Sequence, residues 1–397
     1  MEITQFLTVL KNRDKLLSLQ VAALMLGLFA INLVHVVFPS SMLAIIVSDA
    51  FKILILIGGV FNIPTIILRL NYKILLCICG YFLLLILSIL FFQENNRYFI
   101  ENTVVYFSLY VELCVVIIAI RDFAITYNLL NKISSYIGIV NLIFLLCNLF
   151  GFVTIVRDLE QGTYNMGFGY ACLLPAIILL CSNTKNSSIY NFIYIFGFIV
   201  SILLYASRGP LLGILVAFMY FTFRIMFCKH PRNFLLVITA LIILIISHQA
   251  VIIMLTQILD RLGIYSRTFD LLTNEFTHMS GREIIYMTLI NKISEDPLAI
   301  RGINAEWHIF GTYAHNILIE LYYQFGVILG STILLVIFTL VFNNLLIKKL
   351  EYIELLKLIF LFSSIPALFV SGSLWTNFSF WIWIGLNIKS VNLSKRS

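Results

Sequence analysis

Apolar runs of about twenty residues recur along nearly the whole sequence, and they constrain its fold more than any other feature. A helix of about twenty residues crosses a hydrocarbon core roughly 30 Å thick. Backbone polar groups inside a bilayer must be satisfied within the protein, which favours helices. A membrane β-barrel would show alternating segments of about ten residues, whereas runs such as Ile74–Phe92 are continuous. The sequence therefore predicts an all-α, polytopic membrane protein.

Composition and charge agree with this prediction. Of the 397 residues, 61% are hydrophobic and only 11% are charged, whereas soluble domains carry roughly 25% charged residues. The net charge of +7 does not indicate a nucleic-acid partner, because the basic excess lies in short loops between spans. Such a distribution is the orientation signal of membrane proteins.

We predict about twelve transmembrane helices, at 17–37, 41–61, 74–92, 103–120, 133–156, 169–182, 189–205, 210–227, 234–254, 317–346, 353–371 and 373–389. With the N-terminus inside, 17 basic residues fall on the cytoplasmic side and 8 on the other, with Lys52 inside a span. This bias predicts that both termini are cytoplasmic.

One long polar loop divides the chain. Helices 1–9 occupy 1–254, the loop occupies 255–316, and helices 10–12 with a cytoplasmic tail occupy 317–397. The loop lies on the extracytoplasmic side, and long loops of this kind are usually functional or disordered. Its aromatic residues predict that it folds, and residues 280–293 have the spacing of a helix that could lie on the membrane surface.

Two of the motifs that could carry chemistry contain an arginine on the outer side. In Ser207-Arg208-Gly209-Pro210, the arginine is a planar, permanently charged donor suited to phosphate. The alternative is an arginine that snorkels at a helix end. The second motif is Ser280-Gly281-Arg282-Glu283, and its alternative interpretation is a surface salt bridge.

A third motif, Tyr313-Ala314-His315-Asn316, stands at the start of the tenth span and is followed by Glu320. A histidine can take up a proton near neutral pH, as a general base must. An interfacial belt of aromatic residues is the alternative, and His308 is a rival candidate for the base.

The cysteines and the intramembrane charges limit other classes of function. None of the seven cysteines lies in a predicted outer loop or in a Cys-x-x-Cys pair, so we expect no disulfide and no metal centre. Asp49 and Lys52 could neutralise each other on one helix. Glu112 has no partner near it in sequence. Because ionisable groups inside the membrane are typical of transport pathways, a transporter is an alternative function.

Taken together, the motifs resemble the family of O-antigen polymerases and ligases. The match runs through Ser207-Arg208-Gly209, Ser280-Gly281-Arg282, the turn from Pro297 to Gly302, Tyr313-Ala314-His315-Asn316 with Glu320, and Phe325-Gly326. It covers roughly a third of the chain. The chain departs from the family where Asn304 follows Gly302, since the family often has a second glycine there.

The resemblance implies a GT-C-like fold with one large periplasmic loop between helices 9 and 10. It also implies a metal-independent, inverting glycosyltransferase of the bacterial inner membrane, without a cofactor, whose donor is an oligosaccharide on undecaprenyl pyrophosphate. By residue match, Arg208 and Arg282 hold the pyrophosphate and His315 activates the acceptor hydroxyl. Arg301, Tyr313, Asn316 and Glu320 are further substrate-binding candidates, and a chain-length-regulating membrane protein is an expected partner.

Several functions stay open on the sequence alone. The stretch from Tyr313 to Gly326 and the segment Ser371-Gly372-Ser373-Leu374-Trp375 look more like polymerases than like ligases, which transfer polymer to the lipid A core. A transporter of lipid-linked oligosaccharide would concentrate charge in the membrane centre and contain repeats. A structural membrane protein would tolerate loss of Arg208, Arg282 or His315.

Overall fold

The computed structural model describes residues 3–38, 42–150, 166–184, 188–205, 208–224, 253–254, 257, 282–347 and 349–390. These residues are almost entirely helical and contain no strand, which confirms the all-α prediction. The main helices are α1 (Ile3–Val37), α2 (Met42–Leu68), α3 (Tyr72–Phe91), α4 (Val105–Ala119), α5 (Phe123–Leu149), α6 (Met166–Ser182), α7 (Ile189–Tyr205), α8 (Arg208–Thr222), α9 (Arg282–Glu295), α10 (Ile317–Leu345), α11 (Tyr352–Val370) and α12 (Phe378–Ser390).

The longer helices have the length and apolarity of membrane spans. Within the described residues, five helices qualify, and a sixth span results if the bent pair Gln93–Glu101 and Tyr106–Ala119 crosses as one. Four further helical stretches are apolar but shorter. The chain is therefore a helical membrane protein, while the count of twelve spans stays a prediction. The ninth predicted span, 234–254, lies outside the described residues except for 253 and 254.

Two helix boundaries differ from the predicted spans for reasons that the packing explains. Helix α5 begins at Phe123 rather than 133, because Thr126 and Tyr127 in its first turns are buried and Thr126 shares a 2.8 Å hydrogen bond with Ser18. Helix α12 begins at Phe378 rather than 373, because residues 371–377 form a separate turn.

The chain forms two compact units. The first consists of Met1–Val21, Leu54–Leu129 and Met279–Ser397, and the second of Ala22–Ile53 and Leu130–His278. In the first unit, α12 packs closely on α4, since a Cβ at Gly385 would lie 2.9 Å from the carbonyl oxygen of Cys114. The second unit is built around α6, which is buried along most of its length.

A buried ion pair joins helix ends on the predicted cytoplasmic side of the first unit. The guanidinium of Arg69 lies 2.5 Å from the carboxylate of Asp14 and also donates to the carbonyl of Ala119. Asp14 accepts a second bond from the backbone N–H of Arg121 at 3.0 Å. Removing one member of a buried pair costs about 3–5 kcal/mol, so this pair fixes α1, α2 and α4 to one another.

Helix α10 is broken at Gly326, and the break shapes the outer part of the first unit. Gly326 has φ 71° and ψ 168°, a conformation that glycine adopts without a steric penalty. The backbone N–H of Val327 donates to the carbonyl of Pro297 at 2.8 Å. The long tenth span of the prediction is therefore a short helical segment, 317–325, followed by a longer one.

The predicted loop is folded where the structure describes it. Helix α9 confirms the helix expected at 280–293, and its residues Ile285, Leu289 and Ile293 face a small core formed with Ala305, Ala314 and Tyr323. The sequence predicts that Ile284, Ile285, Thr288 and Leu289 form the apolar side of this helix. That prediction is wrong for Ile284, which points outward and is 69% exposed.

Candidate active site

The C-terminal end of α11 gathers three of the predicted site residues. Its last carbonyls, 369–371, have no partner within the helix and carry partial negative charge. Asn316 donates to the carbonyl of residue 369 at 3.2 Å and the Tyr313 hydroxyl to that of 371 at 2.9 Å. The guanidinium of Arg282 donates to the carbonyl of Val370, which lies between these two carbonyls in the sequence. Residues from two separate motifs therefore meet at one helix end.

His315 lies within this group in an uncommon backbone conformation. Its φ is 58°, in the left-handed region that non-glycine residues seldom occupy. The carbonyl of His315 accepts a hydrogen bond from Tyr286 at 3.3 Å, and Asn316 caps the first turn of α10 through Leu318. The ring centroids of Tyr313 and His315 are 4.2 Å apart. These hydrogen bonds fix the backbone around His315, and the Tyr313 ring packs against the imidazole.

The surroundings of His315 keep its imidazole neutral. Burial, together with the positive charge of Arg282, lowers the pKa of His315 to about 4. Its Nδ1 atom is buried and has no hydrogen-bond partner among the described residues, and a contact with the backbone of Ser371 partly offsets the lowering of its pKa. A neutral imidazole can accept a proton, which is the chemistry of a general base, and the His315 side chain is only partly buried.

Arg282 combines a structural contact with spare hydrogen-bonding capacity. One of its N–H groups is used on the carbonyl of Val370, and Tyr286 is a further neighbour. A guanidinium has five N–H donors, and Arg282 is only half-buried. Its remaining donors are suited to a phosphate oxygen beside the neutral imidazole.

Arg301 differs from the expectation that it contacts phosphate. Its guanidinium donates to the carbonyls of Lys292 at 3.0 Å and Asp296 at 3.1 Å, at the C-terminal end of α9. It also lies over the ring of Tyr323, 4.9 Å from the centroid. These contacts favour a structural role, in which Arg301 fixes α9 to the segment 317–325.

Glu320 also differs from the prediction, because it has no exposed surface with which to bind substrate. Its carboxylate accepts hydrogen bonds from the Ser373 hydroxyl at 2.6 Å and from the backbone N–H of Leu374 at 3.2 Å. A fully buried carboxylate engaged in this way holds the turn after α11 rather than a ligand.

A second buried acid, Glu306, belongs to the same region and escaped the sequence analysis. Both carboxylate oxygens of Glu306 accept from the side-chain amide of Gln324 at 3.0 Å. The side-chain oxygen of Gln324 accepts from the Trp375 indole at 2.9 Å. Burial raises the pKa of Glu306 above its ordinary value. The only local signal was an isolated acid between Ala305 and Trp307, which does not reveal its partner.

The remaining candidates are Arg208, the start of the second motif and His308. Arg208 begins α8 in the second unit, and its side chain is not described. Ser207 and 258–281, which contain the start of the second motif, lie outside the described residues. His308 is exposed and contacts the Tyr98 ring, with centroids 5.0 Å apart, so it contacts a different group from His315.

The intramembrane acid Glu112 has partners that its sequence did not reveal. It accepts a 2.5 Å hydrogen bond from Gln20, which in turn accepts from Asn62 at 2.6 Å. Such contacts between helices are typical of polar residues that hold membrane helices together. The side chain of Lys52 lies outside the described residues.

Within the described part of the chain, no group of three or more histidine, cysteine, aspartate or glutamate side chains could hold a metal ion. Comparison with protein-family models, with curated proteins and with solved structures finds no match to this chain.

Proposed function

We propose that this protein is an O-antigen polymerase, which joins undecaprenyl-pyrophosphate-linked oligosaccharide repeats at the periplasmic face of the inner membrane. The observation that carries the proposal is the pairing of a neutral His315 with the charged Arg282 at the end of α11. The resemblance of the motifs to polymerases supplies the substrate class.

In this reaction the acceptor sugar hydroxyl attacks the anomeric carbon of the donor, and the bond to pyrophosphate breaks. His315 takes the hydroxyl proton, and general-base catalysis typically contributes 10²–10⁴-fold. Arg282 stabilises the negative charge that develops on the leaving pyrophosphate with charge-assisted hydrogen bonds. Arg208 is proposed as a second pyrophosphate ligand on the basis of its motif alone.

The first test is made in cells that lack the gene and are complemented with variants. His315→Ala and Arg282→Ala each abolish the polymer ladder while the protein is still made in the membrane. Arg282→Lys also fails, because lysine cannot form the bidentate bonds of a guanidinium. Lipopolysaccharide separated on a gel then shows a core that carries a single repeat.

Matched controls come from the same unit. His308→Ala removes the rival histidine, and Arg97→Ala removes an arginine whose side chain is 77% exposed; both variants retain the ladder. A normal ladder from His315→Ala contradicts the proposed base. A bare core with accumulated lipid-linked polymer in the deletion strain indicates the ligase instead.

A further inference from the structure

The turn that follows α11 is attached to the segment around His315 on two sides. On one side, Tyr313 donates to the carbonyl of Ser371, which also contacts the imidazole. On the other side, Glu320 accepts from Ser373 at 2.6 Å and from Leu374 at 3.2 Å. The turn is therefore hydrogen-bonded to one residue that precedes His315, the proposed base, and to one residue that follows it.

A second attachment lies beside the first and involves the other buried acid. Gln324, one helical turn after Glu320, accepts from the Trp375 indole and donates to both oxygens of Glu306. Its backbone carbonyl accepts from the N–H groups of Arg301 and Gly302 at 2.9 Å. Glu306, Glu320 and Gln324 are each at most 1% exposed, so no member of this network can reach a substrate.

The backbone of His315 depends on such attachments. A residue other than glycine in the left-handed region persists only where the surrounding structure fixes it, and His315 has φ 58°. If the turn moves, the carbonyl of Ser371 moves with it, and the imidazole loses a neighbour that sets its orientation.

We propose that Glu320 is a positioning residue for His315, acting through the turn from Ser371 to Trp375, with Glu306 fixing Gln324 as the second attachment of that turn. The kinetic test of this role rests on the proposed function, because it measures turnover by the polymerase. The positioning role requires that residue 320 accepts hydrogen bonds from the turn. It does not require that a negative charge contacts the substrate.

Two substitutions separate a geometric role from a role of the charge. Glu320→Ala removes both acceptors, and its kcat falls about 100-fold, as expected for a misplaced catalytic group, while KM changes less than about twofold because no substrate contact is lost. Glu320→Gln still offers an oxygen to Leu374 and an amide to the Ser373 hydroxyl, so it retains most of the activity. Should Glu320→Ala fail to fold, Ser373→Ala removes one bond and produces a smaller fall in kcat.

A spectroscopic readout does not depend on activity. The chain is labelled with ¹³C at the histidine Cε1 positions, and the His315 signal among six histidines is assigned with His315→Gln. Arg282, the Tyr313 ring and the backbone of Ser371 face this imidazole, and Tyr286 donates to the backbone carbonyl of the same residue. In the wild type the signal titrates near pH 4. In Glu320→Ala it moves to lower pH, because the Ser371 carbonyl that raises the pKa of His315 is displaced, and in Glu320→Gln it stays at the wild-type value.

The outcomes are distinguishable from those of the proposed function. Unchanged kcat and an unchanged titration in folded Glu320→Ala overturn the positioning role. Equal loss of activity in Glu320→Gln and Glu320→Ala overturns it in favour of a charge. A shifted titration in a protein that never elongates a lipid-linked repeat retains the positioning role and rejects the polymerase.

Discussion

At the scale of single residues, His315 combines a left-handed backbone with a neutral side chain beside a permanent positive charge. Burial and Arg282 both disfavour the imidazolium, and the contacts at the end of α11 hold the ring. An imidazole arranged in this way is available as a base over the whole physiological pH range.

The pH dependence of turnover follows from this arrangement. Because the pKa of His315 is lowered to about 4, the neutral form persists as pH falls and is lost only near that value. We expect kcat of the purified protein to stay level from about pH 8 to pH 5, below the ordinary histidine value of about 6.5. Initial rates across this range check it, and an acid limb centred near pH 6.5 contradicts it.

Part of the site could be predicted from local sequence, and part could not. Tyr313, His315 and Asn316 are close in sequence, so their motif brings them together, and the family resemblance added Arg282. The role of Arg301 and the partner of Glu306 depend on chain segments that meet only in the folded protein. Hydropathy and short motifs contain no information about such contacts.

At the scale of elements, the break in α10 places the site. The segment 317–325 carries Glu320 and Gln324 toward the turn after α11, and the helix then continues as a membrane span. Hydropathy predicted one long span here, because an apolar pattern does not record a single glycine with positive φ. The apolar runs themselves predicted most helices well, since lipid solvation determines them.

Substitution at Gly326 tests the break. A Cβ at this position would lie 2.9 Å from the carbonyl oxygen of Leu298, in addition to the strain of a positive φ. With ψ 168° the conformation of Gly326 is essentially restricted to glycine and costs another residue about 1–3 kcal/mol, and the backbone clash adds about 1–3 kcal/mol. We expect Gly326→Ala to lower the thermal midpoint of the purified protein and to reduce its activity.

Gly311→Ala is the matched control for this substitution. Gly311 also has a positive φ, 63°, but a Cβ there meets no atom within 4 Å. Its midpoint should therefore fall less than that of Gly326→Ala, because Gly311 has the milder left-handed conformation with ψ 16° and no clash is added. Equal shifts in the two variants would show that neither the contact with Leu298 nor the conformation of Gly326 adds to the cost.

At the scale of the whole molecule, the chain is a helical membrane protein with a folded segment, 282–316, between apolar helices. The donor lipid of the proposed reaction stays in the bilayer, so its pyrophosphate can be reached only at the membrane surface. The basic bias of the loops predicts that this segment faces the periplasm. The proposed function requires that this protein forms glycosidic bonds at that surface without any other enzyme.

Elongation by the purified full-length protein tests that claim most directly. The chain is reconstituted in proteoliposomes with a synthetic undecaprenyl-pyrophosphate-linked repeat as the sole glycan, and the products are sized on a gel. We predict a ladder of increasing repeat number that persists in EDTA, is present with His308→Ala and is absent with His315→Ala. A single unextended band from folded wild-type protein would contradict the account.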